Sequence, residues 1–91
     1  MDQFVKGLET QKGFVGLIIM DKNGVIIENS FGEEGNIPQH LFNIITFAKK
    51  ELREAYKDDE FNLMRFRASS REVVASIYND FFLFVVRNPT D

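Results

Sequence analysis

The sequence contains no cysteine and no tryptophan, and only one histidine and two prolines among its 91 residues. Without cysteine the chain can form no disulfide, no thiolate nucleophile and no thiolate metal site. The single histidine, His40, excludes a metal site made of several histidines, and the sequence offers no nucleophile and base pair. We therefore expect a protein that is not an enzyme and that carries no cofactor and no metal.

Charge and long apolar runs are also limited. The formal net charge is -3 and the sequence pI is about 5.1, which argues against nucleic acid or an anionic membrane as the main partner. No apolar stretch reaches the length of a membrane span, and the N-terminus lacks the order of residues that marks a signal peptide. A cytoplasmic location is the expectation that follows.

Basic residues alternate with phenylalanine in one short stretch, "MRFRASSR". Such a stretch resembles the strands of proteins that stack RNA bases on the surface of a sheet. In a strand, however, Phe66 lies on the opposite face from Arg65 and Arg67. The pattern therefore predicts Phe66 in the core and does not favour nucleic-acid binding.

Apolar surface is what the chain has in quantity, with 44% hydrophobic residues and ten phenylalanines. This composition predicts one globular domain over residues 1–91. A domain of this size buries only about 60–65% of the surface that its unfolded chain exposes. Its core is therefore marginal, and a partner subunit would add stability.

Two segments are apolar on both of their alternating faces, 14–20 and 81–87. Strands covered on both faces lie in the middle of a sheet. Segments 25–31, 61–67 and 72–77 are predicted as further strands, and an Asn-Gly pair marks a hairpin turn between the first two strands. In the last strand the alternation directs two sets of side chains toward two helical layers: Phe82, Phe84 and Val86 toward one, and Phe81, Leu83 and Val85 toward the other.

Helical spacing predicts a short helix in residues 2–12 and a long helix in residues 37–57. Asn36 and Gln39 fit a variant of the capping box at the start of the long helix. Adjacent hairpins favour antiparallel pairing. The expected fold is therefore α+β, with one five-stranded, mostly antiparallel sheet of strand order 2-1-5-4-3 between the two helices.

The long helix has more apolar surface than one core needs. Its core-facing residues cover an arc of about 160°, and Phe47 extends that arc by about 60° beyond Ile44. The strand in residues 61–67 adds a sheet edge whose unpaired backbone groups can template pairing with another strand. The surplus predicts either exposed apolar surface or contact with another chain.

Two stretches resemble the roadblock-type dynein light chains. "FNLMRFRASSREVVASIYNDFFLFVVRNPTD" is similar to the C-terminal third of that family, with Glu72 opening one strand and Asp80 preceding the pair Phe81-Phe82 of the next. "QKGFVGLIIMDKNGVII" is similar to the N-terminal half of the family. The resemblance covers essentially the whole chain, and it implies the roadblock fold, whose order of elements is the order predicted above.

The resemblance implies a homodimer in which the long helices pack antiparallel and the third strands pair. Together with the surplus apolar surface, it leads to a hypothetical dimer interface that includes Ile44, Phe47, Leu63, Arg65 and Arg67. It further implies binding of a dynein intermediate chain segment, assembly of a motor complex for microtubule-based transport, and association with the cytoskeleton. The alternative is a roadblock-fold regulator or scaffold of a small GTPase, a role found among bacterial and archaeal proteins of this fold.

Overall fold

The computed structural model describes residues 2–32 and 34–89. This part of the chain forms two helices and five strands, in the order helix, two strands, helix, three strands. Their bounds are α1 Asp2–Glu9, β1 Phe14–Asp21, β2 Ile26–Asn29, α2 Ile37–Ala55, β3 Leu63–Arg67, β4 Glu72–Ile77 and β5 Phe81–Arg87, with a short 3-10 turn at Glu34–Asn36 before α2. Neither helix in the described ranges is long and apolar enough to cross a bilayer.

The five strands form one sheet in the order β2-β1-β5-β4-β3, and all four pairings are antiparallel. The predicted fold class and strand order are confirmed. The two segments that are apolar on both faces, β1 and β5, lie side by side near the middle, where Ile18 pairs with Phe84 and Leu17 with Val85. A central strand has neighbours on both edges and layers on both faces, so it has no position where a polar side chain would meet water.

A separate core lies on each face of the sheet, and we call these faces the α2 side and the α1 side. On the α2 side, Ile18, Phe82 and Phe84 pack with Ile45 of the long helix. On the α1 side, Leu17 and Leu83 are buried with Ile19, and Val5 and Leu8 of α1 pack against them. The predicted division of the last strand is therefore confirmed, with Phe82 and Phe84 facing one helix and Phe81, Leu83 and Val85 facing the other.

Glycine at position 16 allows a close approach within the α2-side core. A Cβ atom built at Gly16 would overlap the ring of Phe31, which packs over β1 from the loop after β2. No residue with a side chain fits there unless that ring moves. Gly24 serves the β1–β2 turn instead, because its φ of 91° is disfavoured for residues with a side chain.

The start of α2 differs from the sequence prediction. Asn36 adopts left-handed backbone angles, with φ 54° and ψ 34°, and its side chain makes no capping hydrogen bond. The amide Nε2 of Gln39 donates to Oδ1 of Asn43 at 2.9 Å instead of reaching back to Asn36. The predicted capping box is wrong, because that box needs an extended residue at the N-cap. The helix also ends at Ala55, two residues earlier than predicted.

Candidate assembly surfaces

The outer side of α2 exposes two large apolar side chains. Phe47 is 65% exposed and Ile44 is 46% exposed, whereas Ile45 between them is fully buried under the helix. At about 100° per residue, Ile44 and Phe47 lie roughly 60° apart around the helix axis. We call this surface the apolar flank of α2. The predicted surplus of apolar surface on the long helix is present in the structure and is exposed in the single chain.

The strand β3 forms one edge of the sheet. It pairs with β4 along its whole length, from Leu63 opposite Ser76 to Arg67 opposite Glu72. Its outer edge faces no other strand within the described residues. An edge of five residues that pairs on one side only is a template for a further strand.

The five residues of the hypothetical dimer interface lie on two sides of the sheet. Ile44 and Phe47 belong to α2, whereas the β3 residues among the five alternate with Met64, which is buried in the α2-side core. Because side chains alternate along a strand, Leu63, Arg65 and Arg67 point to the α1 side. The structure brings Ile44 and Phe47 together and separates them from the β3 side chains. A shared interface for all five would have to use the edge of β3 as well as the apolar flank.

Phe66 is a residue that sequence reasoning placed wrongly. It lies on the face opposite Arg65, as predicted, but it is 39% exposed and is not part of the buried core. An edge strand has a neighbouring strand on one side only, so a side chain on it loses part of its cover. Phe66 therefore adds exposed aromatic surface to the α2 side of the sheet.

Glu72 is a buried carboxylate that the sequence pattern did not single out. It is 5% exposed, and its Oε1 accepts a hydrogen bond from Nε of Arg87 at 2.7 Å and forms an ion pair with Nη2 of Arg87 at 2.6 Å. The Nε of Arg65 lies 4.0 Å from the same oxygen. Glu72 on β4 pairs in register with Arg87 on β5 and with Arg67 on β3, and Arg65 lies diagonally across from it, opposite Val74. The carboxylate thus holds neighbouring strands together on the α1 side, next to the β3 edge.

The opposite edge of the sheet, β2, is also apolar. Val25, Ile26 and Ile27 are all at least half exposed, and β2 pairs only with β1. A bulge interrupts that pairing, because Ile19 faces Glu28 whereas Met20 faces Ile26. Bulges at sheet edges twist the strand and disturb its hydrogen-bonding pattern, so β2 is a poorer template than β3.

Groups that could carry out chemistry are sparse in the described part of the chain. No cluster of three or more histidine, cysteine, aspartate or glutamate side chains there could hold a metal ion. His40 is exposed in the first turn and a half of α2. The features that stand out are instead exposed apolar side chains on α2 and an open sheet edge at β3.

No family model matches the sequence. Solved structures do resemble this fold. A Roadblock/LC7 domain from Streptomyces avermitilis superposes with a TM-score of 0.72 at 13% identity, over 97% of this chain and 78% of that one. MglB from Myxococcus xanthus superposes with a TM-score of 0.67 at 15% identity, over 82% of this chain and 64% of that one. An MglB structure described as having a tetrameric arrangement gives a TM-score of 0.65 at 12% identity, over 96% of this chain and 71% of that one.

These likenesses establish the fold. The chain has the roadblock fold, so the roadblock part of the resemblance drawn from the sequence is confirmed. None of the three structures is a dynein subunit, and the match to the Myxococcus protein spans a little under two thirds of that protein's length.

Proposed function

We propose that this chain is a non-catalytic assembly subunit that forms a homodimer and, as a dimer, binds a small GTPase as its regulator or scaffold. The observation that carries this proposal is the likeness to two bacterial roadblock-fold proteins, the Streptomyces domain and the Myxococcus MglB. Regulation of small GTPases is the role that the resemblance implied for bacterial proteins of this fold. The dynein reading has no counterpart among these structures.

The homodimer is supported by two surfaces that one chain leaves open. The apolar flank of α2 exposes Ile44 and Phe47, and the outer edge of β3 has no strand beside it in the described chain. Burying apolar side chains is favourable by roughly 1.5–3 kcal/mol for a large side chain taken fully out of water. A two-fold axis beside β3 would pair the two β3 strands and bring both apolar flanks to the same side of the joined sheets.

The GTPase partner would bring its own nucleotide. In "GFVG", Gly13 lies just before β1 and Gly16 lies within it. A phosphate-binding loop needs a lysine followed by Ser or Thr after its glycines, and this stretch has neither. A role in binding, positioning or altering the GTPase is therefore more consistent with these residues than a role as the nucleotide-binding subunit.

This proposal is tested by titrating the purified dimer into a small GTPase of the same organism, loaded in turn with GTP and GDP. We expect binding that differs between the two nucleotide states, together with a change in the rate of GTP hydrolysis or, for a scaffold, binding without that change. A dimer that binds no GTPase of its organism in either state would contradict the proposal.

A second candidate function is that of a dynein light chain, favoured by the similarity of "FNLMRFRASSREVVASIYNDFFLFVVRNPTD" to the end of that family. In this case the homodimer would bind two segments of the dynein intermediate chain, and the protein would be cytoplasmic and associated with the cytoskeleton. The dimer would gain from bivalency, because the second segment binds at a raised effective concentration. Titration with an intermediate-chain peptide distinguishes the two candidates, since the GTPase regulator should leave that peptide unbound.

A further inference from the structure

A second surface of α2 is basic; its Arg53 lies away from the apolar flank, whereas its Lys50 is one turn after Phe47. Arg53 follows Ile44 by nine residues, so the two side chains point in roughly opposite directions around the helix at about 100° per residue. We call this surface the basic flank. It comprises five cations from three segments, the β1–β2 turn, α2 and the chain after α2: Lys22, Lys49, Lys50, Arg53 and Lys57.

Two clefts open beside the basic flank, and Lys49 and Arg53 line both. The larger, of about 400 Å³, lies between the end of α2 and the β4–β5 turn, and Phe61, Ile77 and Tyr78 supply its apolar part. The smaller, of about 360 Å³, lies toward Lys22 and Phe82. Each cleft is large enough for one or two side chains of a partner, and each is lined by cations and by at least one aromatic ring.

The cations of the basic flank are only partly offset by acids, since Glu54, Asp59 and Glu60 line the same two clefts. The ion pairs that Glu72 forms with Arg65 and Arg87 involve none of the five. Lys49 instead places its Nζ 5.3 Å from the centre of the Phe82 ring, a cation–π contact that orients the lysine without removing its charge.

The residues that line the two clefts carry a small positive formal charge of +2, five cations less three acids, whereas the whole chain carries -3. The whole chain has 11 basic and 14 acidic residues, which leaves six basic and eleven acidic residues elsewhere. A helix dipole favours a cation such as Arg53 in the last turn of α2. It does not account for Lys22, which reaches the same region from another segment.

We propose that the basic flank is a docking site for an acidic segment of a protein partner. Carboxylates of that segment would bind Lys22, Arg53 and Lys57, and an apolar or aromatic side chain would enter the larger cleft beside Phe61 and Tyr78. Arginine suits this role because its planar guanidinium can donate two parallel hydrogen bonds to one carboxylate.

The observations favour a peptide over nucleic acid or a lipid surface. A duplex or an anionic bilayer presents negative charge over an area wider than the two clefts, and it would meet the acidic residues that dominate the rest of the molecule. A short segment can place its carboxylates on the basic flank alone. Because the positive charge is confined to this flank, a short acidic segment fits it better than an extended polyanion.

This inference goes beyond the proposed function, because it assigns a partner chemistry to a surface that the homodimer does not use. A dimer formed through the apolar flanks would leave Lys22, Arg53 and Lys57 open on each chain. Such a dimer could hold two acidic segments, and linking two sites raises the apparent affinity for a partner that carries both segments.

The test uses the full chain and a fluorescently labelled synthetic peptide composed of aspartate, glutamate and phenylalanine, with binding followed by anisotropy. Its matched control peptide has asparagine and glutamine in place of the acids. We expect the acidic peptide to bind, the amide peptide to bind at least about tenfold more weakly, and added salt to weaken the binding of the acidic peptide.

The double variant Arg53→Glu with Lys57→Glu should raise the dissociation constant of the acidic peptide by about tenfold or more, because two attractions become repulsions. The control is Lys6→Glu with Lys12→Glu, which makes the same change in net charge at exposed positions in and after α1. We expect the control to change affinity by less than about threefold, since exposed charges beyond a Debye length are screened. Circular dichroism confirms that both variants are folded.

Three results would overturn the proposal. One is an acidic peptide that the native protein does not bind. Another is an equal loss of affinity in the two double variants, which would reduce the effect to net charge. The third is tighter binding of single-stranded DNA, or of vesicles containing phosphatidylserine, than of the acidic peptide.

Discussion

On one flank of α2, Ile44 and Phe47 expose apolar side chains, whereas on the other flank Lys49 and Arg53 border two clefts with an excess of positive charge. The two flanks belong to one helix of 19 residues, and the buried stripe around Ile45 separates Ile44 from Arg53. Removing the apolar flank from water is favourable, whatever the salt concentration. The basic flank interacts well with water when it is free, so its contacts depend on a partner of opposite charge and on ionic strength.

This difference indicates two kinds of contact on one helix. Stable homodimers bury apolar surfaces that resemble a core, whereas reversible complexes use charge to set the rate and the choice of partner. The apolar flank therefore suits a lasting contact with a second copy, and the basic flank suits a partner that binds and leaves. The predictions that follow are ordered by the size of the expected effect.

The largest effect is expected from Ile45→Asp, which breaks the buried stripe between Ile44 and Arg53. Ile45 is fully buried in the α2-side core, so the substitution would place a carboxylate there without a partner. We expect a loss of more than about 4 kcal/mol from the roughly 5–15 kcal/mol that stabilises a domain of this kind. Circular dichroism and urea denaturation should show an unfolded or barely stable chain. Ile44→Asp is the matched control one residue away, and a folded Ile45→Asp variant would contradict the placement of this core.

Phe47→Asp tests the apolar flank by itself. Phe47 is 65% exposed in the single chain, so we expect the stability of the protomer to change by no more than about 0.5 kcal/mol. The dissociation constant of the dimer should rise by at least about tenfold, because a charge would be buried at the interface without a partner. Sedimentation velocity over a range of concentrations measures this. Unchanged dimerisation would remove Phe47 from the interface.

A reciprocal experiment sharpens the comparison between the flanks. Arg53→Glu with Lys57→Glu, which should weaken binding of the acidic peptide, is expected to change the dimer dissociation constant by less than about threefold, since distant sites act independently. Phe47→Ala, which adds no charge beside Lys50, should likewise leave the affinity per site for that peptide nearly unchanged. If either substitution changes both measurements by tenfold or more, the flanks are not separate surfaces.

The smallest effect is expected from Phe66→Ser, which tests how far the apolar surface extends from α2 onto the sheet. Phe66 lies on the α2 side of the edge strand β3 and is 39% exposed. If β3 pairs with β3 of a second chain, losing this ring should weaken the dimer by a few-fold, which is within the range of one cross-strand pair. Phe66→Leu is the conservative control and should restore most of the affinity. If neither substitution changes the dissociation constant of the dimer, Phe66 lies outside the interface.

The fold could be predicted from the sequence because two strands carry an unambiguous pattern. Residues 14–20 and 81–87 are apolar on both faces, which forces them into the middle of the sheet and leaves few orders for the other strands. The long helix was equally clear, with predicted bounds 37–57 and observed bounds Ile37–Ala55. Patterns of this kind depend on the side-chain periods of helices and strands, about 3.6 and 2 residues, which are the same in every protein.

Two kinds of detail were not predictable in the same way: how much of a side chain its neighbours bury, and which backbone angles a single residue adopts. Alternation placed Phe66 on the correct face of β3 but could not reveal how much of that face any neighbour covers. Asn36 matched a capping pattern, yet it adopts left-handed angles that prevent the cap. The two sides of the sheet likewise divide Phe47 from Leu63, a separation that became visible only with the register of β3.

The basic flank shows the same limit. The spacing of Lys49, Lys50 and Arg53 is visible in the sequence as a polar side of the helix, and most such sides are simply solvated. That Lys22 reaches the same clefts depends on the position of the β1–β2 turn beside α2, which is a tertiary feature. No pattern along the chain brings these residues together.

The central claim, that this chain assembles through the surfaces it leaves open, is tested most directly by the mass of the native protein in solution. Sedimentation equilibrium from the high micromolar to the low micromolar range measures it without any partner or label. We predict a homodimer, with twice the 10.6 kDa mass of one chain, that persists into the low micromolar range. A protein that remains at 10.6 kDa over the whole range would contradict the account.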